Sequence, residues 1–184
     1  MATPEHAAVS NRSAQPSPTS EACDVAHGAP TPATVERTLI AVFASPVAEY
    51  LLRYGQDLGY RPVLLEPDPS RTIAGVTAVT SIDAAKPDEE TDIVVTDHHR
   101  DELGPMLRDA LAAPTRWIGL MGNPRHTGPH HAALAALGVD AAEIARVHRP
   151  IGLNIGSRTP PEIAIATLAG LIADRNDRPG AFHF

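Results

Sequence analysis

A glycine-punctuated segment near the end of the chain combines two arginines with two glycines. Gly152 and Gly156 allow left-handed turns or a close approach of the backbone to a ligand. Arg149 and Arg158 are suited to holding a phosphate or carboxylate, and a helix that starts just after them would favour an anion through its dipole. An equally weighted alternative is a structural loop that locks the last helix against the sheet.

Asp97, His98, His99 and Asp101 form a polar cluster that is suited to metal binding or to acid–base chemistry. Adjacent side chains usually diverge, so we do not expect both histidines on one ion. The favoured interpretation is a polar loop that caps the next helix.

Two more histidines, His126 and His130, have the i,i+4 spacing that places residues on one face of a helix. The Gly128-Pro129 pair between them would break such a helix. We therefore expect both of them, together with His131, to face solvent.

The turn after the first predicted strand lacks the glycines of a dinucleotide site. Residues 43–48 are Phe-Ala-Ser-Pro-Val-Ala, whose Cβ atoms would crowd a pyrophosphate, and Pro46 has no amide donor. Glu66 follows ~20 residues later, where an acidic side chain binds a ribose hydroxyl in such sites. The pattern fits either a nucleotide site or a scaffold that has lost one, and the second is slightly favoured for dinucleotides.

Strands alternate with helices through most of the chain. Short apolar runs predict buried parallel strands at residues 38–43, 62–65, 92–96 and 117–121, with a weaker candidate at 76–79. Apolar residues at helical spacing predict helices at residues 47–58, 103–111, 132–137, 141–145 and 160–172. Gly59 ends the first of these helices, and Thr159 with Glu162 forms a capping box at the last.

This alternation predicts an α/β fold with a Rossmann-like, doubly wound parallel sheet. The polar segments that follow the strands then share the carboxyl edge of the sheet, where ligands bind in such folds.

The composition bounds the class of protein. The 184 residues suffice for one domain, and the net charge of −7 argues against a nucleic-acid-binding surface. Residues 1–34 are rich in Ala, Pro, Ser and Thr and are predicted to be a disordered tail before a domain at residues 35–184. No apolar run approaches the ~18 residues of a membrane span. The single cysteine, Cys23, is interpreted as an incidental thiol, and a cytoplasmic location is expected.

Residues 146–156, RVHRPIGLNIG, and residues 159–164, TPPEIA, carry a long and specific pattern. They resemble the signature of the XdhC/CoxI family, R-I-H-x-P-I-G-L-x-I-G followed by T-P-x-E-I-A. Residues 117–122, WIGLMG, are similar to the family's Y-I-G-x-M-G, and residues 94–101 resemble its V-x-T-H-D-H segment. The resemblance covers about residues 38–176.

The resemblance implies a Rossmann-type accessory protein for the maturation of molybdenum hydroxylases such as xanthine or carbon monoxide dehydrogenase. It implies a chaperone that binds the molybdenum cofactor, rather than an enzyme with turnover. The expected partners are a client enzyme or its maturation proteins, and a homodimer is a further expectation. The expected ligand-facing residues are Thr96, His99, Asp101, Gly122, Arg125, Arg149, Gly152, Asn154 and Glu66.

The chain also departs from the family's pattern. Family members commonly carry G-A-G-H in the first turn, S-R-R where residues 123–125 are Asn-Pro-Arg, and a His where Asp97 stands. They also have a separate N-terminal domain, so a divergent member without that domain is expected. One alternative is a non-catalytic Rossmann-type scaffold for protein interactions. A lower alternative is an NAD(P)-dependent oxidoreductase, and NAD(P) is disfavoured because the first turn lacks glycine.

Overall fold

The computed structural model describes residues 18–30, 35–123 and 128–178 of the chain. The chain divides into two units, residues 1–34 and residues 35–184. In the first unit, helix α1 spans Pro18–Ala26, where the sequence predicted no regular structure. This short helix has too few large apolar residues to give a helical period. Cys23 lies in it with an exposed, free thiol.

Six parallel strands form one sheet in the second unit. They are β1 Arg37–Val42, β2 Tyr60–Leu65, β3 Ala78–Val79, β4 Thr91–Val95, β5 Trp117–Leu120 and β6 Val147–His148. Their order is β3-β2-β1-β4-β5-β6, and all neighbouring strands are parallel. In this order the connections change direction between β1 and β4, as in a doubly wound sheet. The predicted Rossmann-like fold is confirmed.

Helices cover both faces of the sheet. They are α2 Pro46–Asp57, α3 Ile82–Ala85, α4 Leu103–Ala112, α5 His130–Ala136, α6 Ala141–Ile144 and α7 Pro160–Arg175. Gly59 has a φ of 84° just after α2, and the capping box of Thr159 and Glu162 is present at α7. Among the described residues, no helix has the length and hydropathy to cross a membrane.

Alternate residues of β1 feed two separate core layers, as the two-residue period of a strand requires. Leu39 and Ala41 pack in the layer that α2 and α7 cover, whereas Ile40 and Val42 pack in the layer of α3, α4, α5 and α6. Helix α2 approaches the sheet closely at Gly55, where a Cβ atom would lie 2.6 Å from Cδ2 of Leu39. The central strands are thus buried on both faces, and the edges of the sheet remain available for polar groups.

A buried polar network closes the amino edge of the sheet. The hydroxyl of Tyr60 donates to Asp92 at 2.9 Å, and Nε of Arg116 donates to the same carboxylate at 2.6 Å. Nη1 of Arg116 also reaches Asp174 of α7 at 2.7 Å, and Arg175 donates to the hydroxyl of Tyr60 at 3.0 Å. Burial and the negative charge of Asp92 raise the pKa of Tyr60 to about 12. The network ties β2, β4 and the start of β5 to α7.

Candidate ligand-binding site

The first turn of the sheet, residues 43–45 between β1 and α2, lies at the crevice between β1 and β4. Thr96, which directly follows β4, holds this turn in place. Oγ1 of Thr96 lies 3.0 Å from the carbonyl oxygen of Val42 and 2.9 Å from that of Phe43. It also accepts a hydrogen bond from Oγ of Ser45 at 2.9 Å. Thr96 therefore fixes the position at which a dinucleotide would cross the sheet in a Rossmann fold.

The amide donors of this turn are largely used within the protein. The amide of Phe43 donates to Leu65 O at 2.8 Å, that of Ala44 to Oε2 of Glu66 at 2.8 Å, and that of Ala48 to Oγ of Ser45 at 3.0 Å. Pro46 has no N–H. A pyrophosphate bound here would lose most of the donors that dinucleotide sites supply.

Glu66 does not face a ligand, contrary to the expectation from its position in the sequence. Its side chain is fully buried, and besides Ala44 it accepts the amide of Asp68 at 3.1 Å. Nη1 of Arg71 lies 3.5 Å from its Oε1. The carboxylate holds two loops together, and its oxygens bond to the protein's own groups.

A cleft of about 770 Å³ opens beside this turn, at the carboxyl edge of the sheet and against α7. Apolar side chains form one part of its wall, among them Val47, Met121, Ile151, Leu153 and Ile163. Polar residues form the rest, among them Thr96, His98, Asn123, Asn154, Ser157 and Arg158. Of the predicted site residues, Thr96, Gly122 and Asn154 line the cleft. The cleft is concave and brings polar and apolar side chains together, and it is our candidate site.

His98, which was not among the predicted site residues, lines the cleft, whereas His99 and Asp101 are exposed outside it. The backbone amide of His99 donates to Oδ1 of Asp97 at 2.9 Å, and the side chain of His98 forms a hydrogen bond with the backbone of Met121. The two imidazole rings do not diverge, since their centroids are 4.1 Å apart. Burial, together with the charges of His99 and Arg149, lowers the pKa of His98.

Metal binding finds no support in this cluster. Within residues 18–30, 35–123 and 128–178, no group of three His, Cys, Asp or Glu side chains is arranged to hold an ion.

Arg149 reaches the end of β5, and its Nη2 donates to the carbonyl oxygen of Asn123 at 3.1 Å. Its guanidinium lies against Gly122, where a Cβ atom would be 2.5 Å from Nη2. The absence of a side chain at Gly122 thus makes room for Arg149, rather than for a ligand as the sequence suggested. Arg125, another predicted ligand residue, lies outside the described residues, as does His126.

Gly152 packs against α7 instead of facing the cleft. Its φ is 85°, and a Cβ atom there would lie 3.1 Å from the backbone of Ala166 and Thr167. The next amide, of Leu153, donates to Ala166 O at 3.0 Å. The position of Gly152 favours the structural interpretation of the loop over a backbone contact to a ligand.

The start of α7 has few donors left for an anion, contrary to the sequence-based expectation. Pro160 and Pro161 have no N–H, and the Glu162 carboxylate accepts the amides of Arg158 and Thr159 at 2.7 and 3.0 Å. The guanidinium of Arg158 contacts no carboxylate in the described part of the chain. The positive charge on this side of the cleft therefore comes from Arg158 rather than from the helix dipole.

His130 is buried, with 3% of its surface exposed, so the prediction that it faces solvent is wrong. His131 is exposed as predicted. The two residues follow each other at the start of α5, and the helix turns His130 toward Gly128 and Arg149. Burial, with the charges of His131 and Arg149, lowers the pKa of His130 to about 4.

Comparison with known proteins identifies the family. The family model described as the XdhC Rossmann domain matches residues 39–171. The chain belongs to the XdhC family. The match includes both strands of the central crevice, the cleft and most of α7, so the candidate site lies within the XdhC domain.

Two relatives place this domain in longer proteins. YqeB of Escherichia coli K12, an uncharacterized protein, is 35% identical over 103 residues, which are 56% of this chain and 18% of YqeB. A crystal structure described as a xanthine dehydrogenase from Bacillus halodurans has a TM-score of 0.62 at 20% identity, over 79% of this chain and 44% of that one. The chain thus spans less than half of either relative, and the second likeness shows the fold.

Proposed function

We propose that this XdhC-family protein is an accessory factor for molybdenum hydroxylases, which binds the molybdenum cofactor in the cleft and delivers it to a client enzyme. Family membership supports the accessory role, as does the neighbour described as a xanthine dehydrogenase. The observation that carries the proposal is the cleft, which combines an apolar wall with Arg158 and a hydrogen-bonding rim. The proposed partners are the client enzyme or its maturation proteins, in the cytoplasm.

The side chains of the cleft fit a flat, phosphate-bearing heterocycle such as the pterin of this cofactor. Met121, Ile151 and Leu153 offer apolar surface for the faces of a ring. Asn154 supplies both a donor and an acceptor for polar ring edges. Arg158 is available for the phosphate through charge-assisted hydrogen bonds. The cofactor is cargo in this account, and its molybdenum chemistry belongs to the client enzyme.

A second candidate is a non-catalytic scaffold that binds only proteins. The self-contained hydrogen bonds of the first turn and the buried carboxylate of Glu66 favour it over an NAD(P)-dependent oxidoreductase. The two remaining candidates differ in whether the cleft takes a small molecule.

Binding of isolated molybdenum cofactor to the purified protein separates them. We expect stoichiometric binding, and we expect Arg158→Ala to weaken it at least about tenfold, since a hydrogen bond to a charged group contributes ~1.5–3 kcal/mol. Arg108→Ala is the matched control, because Arg108 is an exposed arginine paired with Asp109 on α4. Absence of binding in folded wild-type protein would leave the scaffold function.

A further inference from the structure

Arg149 is held in one place along its whole length. Its guanidinium lies against Gly122, where a Cβ atom would be 2.5 Å from Nη2 and 2.6 Å from Nε. Its stem lies against Gly128, where a Cβ atom would be 2.8 Å from Cδ of Arg149 and closer still to the ring of His130. A Cβ atom at Gly122 would therefore displace the guanidinium of Arg149, and one at Gly128 would displace its stem together with His130.

The backbone gives no other reason for these two glycines. Neither Gly122 nor Gly128 has a φ in the left-handed region, unlike Gly152 and Gly156. Any L-residue could therefore adopt their conformation. The space that they leave is occupied by Arg149 at both positions and by His130 at one.

His130 lies against Gly128, next to the stem of Arg149. Its ring is buried, and its Nδ1 has no hydrogen-bond partner among the described residues. A neutral imidazole packs beside the stem of an arginine without repelling its charge, whereas an imidazolium would repel it.

We infer that Gly122, Gly128 and His130 are positioning residues that hold the guanidinium of Arg149 beside the cleft. The inference deepens the proposed function, because it gives the site a second fixed cation for an anionic ligand alongside Arg158. It rests on that function only for the identity of the ligand, since the placement of Arg149 is a property of the protein alone.

His98 reports where the guanidinium is, with no ligand present. Arg149 contributes to lowering the pKa of this cleft residue, after burial and His99. Asp97 and a hydrogen bond to the backbone of Met121 act in the opposite direction. Displacing Arg149 removes one of the charges that oppose protonation of His98, so the pKa of His98 must rise.

The test is an NMR titration of the His98 ring in wild-type protein and in variants. Arg149→Met removes the charge completely, so the rise in the pKa of His98 in this variant is the reference for the glycine variants. We expect Gly128→Ala and Gly122→Ala each to give at least half of that rise. The control is Gly104→Ala, because Gly104 is also buried but a Cβ atom there would meet Ala133 and Leu137 farther along the chain, rather than Arg149 or His130.

An unchanged pKa of His98 in both glycine variants, with a clear rise in Arg149→Met, would overturn the inference. An unchanged pKa in Arg149→Met would also overturn it, because the guanidinium would not be where we place it. Gly122 is half-exposed, so Gly122→Ala gives an answer even where Gly128→Ala fails to fold. Failure of the wild-type protein to bind molybdenum cofactor would contradict the proposed function and leave this result standing.

Discussion

At the residue scale, Phe43 shows how the first turn exists without glycine. Its φ is 74°, in a region that costs an L-residue roughly 1–2 kcal/mol. The ring is fully buried, and its burial contributes ~1.5–3 kcal/mol, enough to offset that cost. The turn therefore forms without glycine, and its amides donate within the protein, which leaves few donors for a pyrophosphate.

The buried imidazole of His130 makes stability fall with acid. Its pKa is about 4 in the folded protein and ~6.5 in the unfolded chain, so between these values only the unfolded chain takes up the proton. We expect the free energy of unfolding to lose about 2 kcal/mol between pH 7.5 and pH 5 through this group. In His130→Asn that part of the loss should vanish, as measured by urea unfolding at the two pH values.

His27→Asn is the control for this measurement, because His27 is an exposed histidine that does not contribute to the lowered pKa of His130. Equal pH dependence in wild-type protein and His130→Asn would show that the folded protein binds the proton after all.

Residue types identified the candidate positions, but local geometry decided which ones face the cleft. His98 and His99 are equivalent in the sequence, yet only His98 lines the cleft, where its side chain bonds to the backbone of Met121. Glu66 stands at the ribose-binding position, and besides the amide of nearby Asp68 it accepts that of Ala44, 22 residues earlier in the chain. Such long-range hydrogen bonds leave no periodic signal in the chain.

At the scale of elements, the four long strands and the capped last helix follow from apolar runs and cap residues. Strand β3 lies within the weaker candidate at residues 76–79, whereas the two-residue strand β6 and the four-residue helix α3 are too short to show a period. Tyr60 and Asp92 belong to two of the long strands. That they and Arg116 join in one network can be recognised only once the order of the strands is known. The network at the amino edge was therefore not predicted.

Arg116 joins β4 to α7 through Asp92 and Asp174, so its loss should be costly. Asp92 is fully buried, and burial already raises the pKa of its carboxyl group. Breaking a buried pair costs ~3–5 kcal/mol, and we expect Arg116→Met to lower the free energy of unfolding by that amount in chemical denaturation.

The exposed pair of Arg108 and Asp109 supplies the comparison, since Arg108→Met should cost no more than ~1 kcal/mol. Similar, small losses in both variants would mean that the network contributes little to stability.

At the scale of the whole molecule, the two edges of the sheet differ in how their polar groups are arranged. The amino edge is closed by paired charges, while the carboxyl edge opens into the cleft. The amides beside the crevice between β1 and β4 donate within the protein, so we propose that a ligand binds instead near β5, the final loop and α7.

Amide chemical-shift mapping with isolated molybdenum cofactor tests that claim most directly. We predict perturbations centred on Leu153, Asn154 and Ile163, which line the cleft. The amides of Ala44 and Asp68, which donate to Glu66, should change little. Perturbations centred instead on Ala44 and Asp68 would contradict the account, because the ligand would then occupy the crevice between β1 and β4.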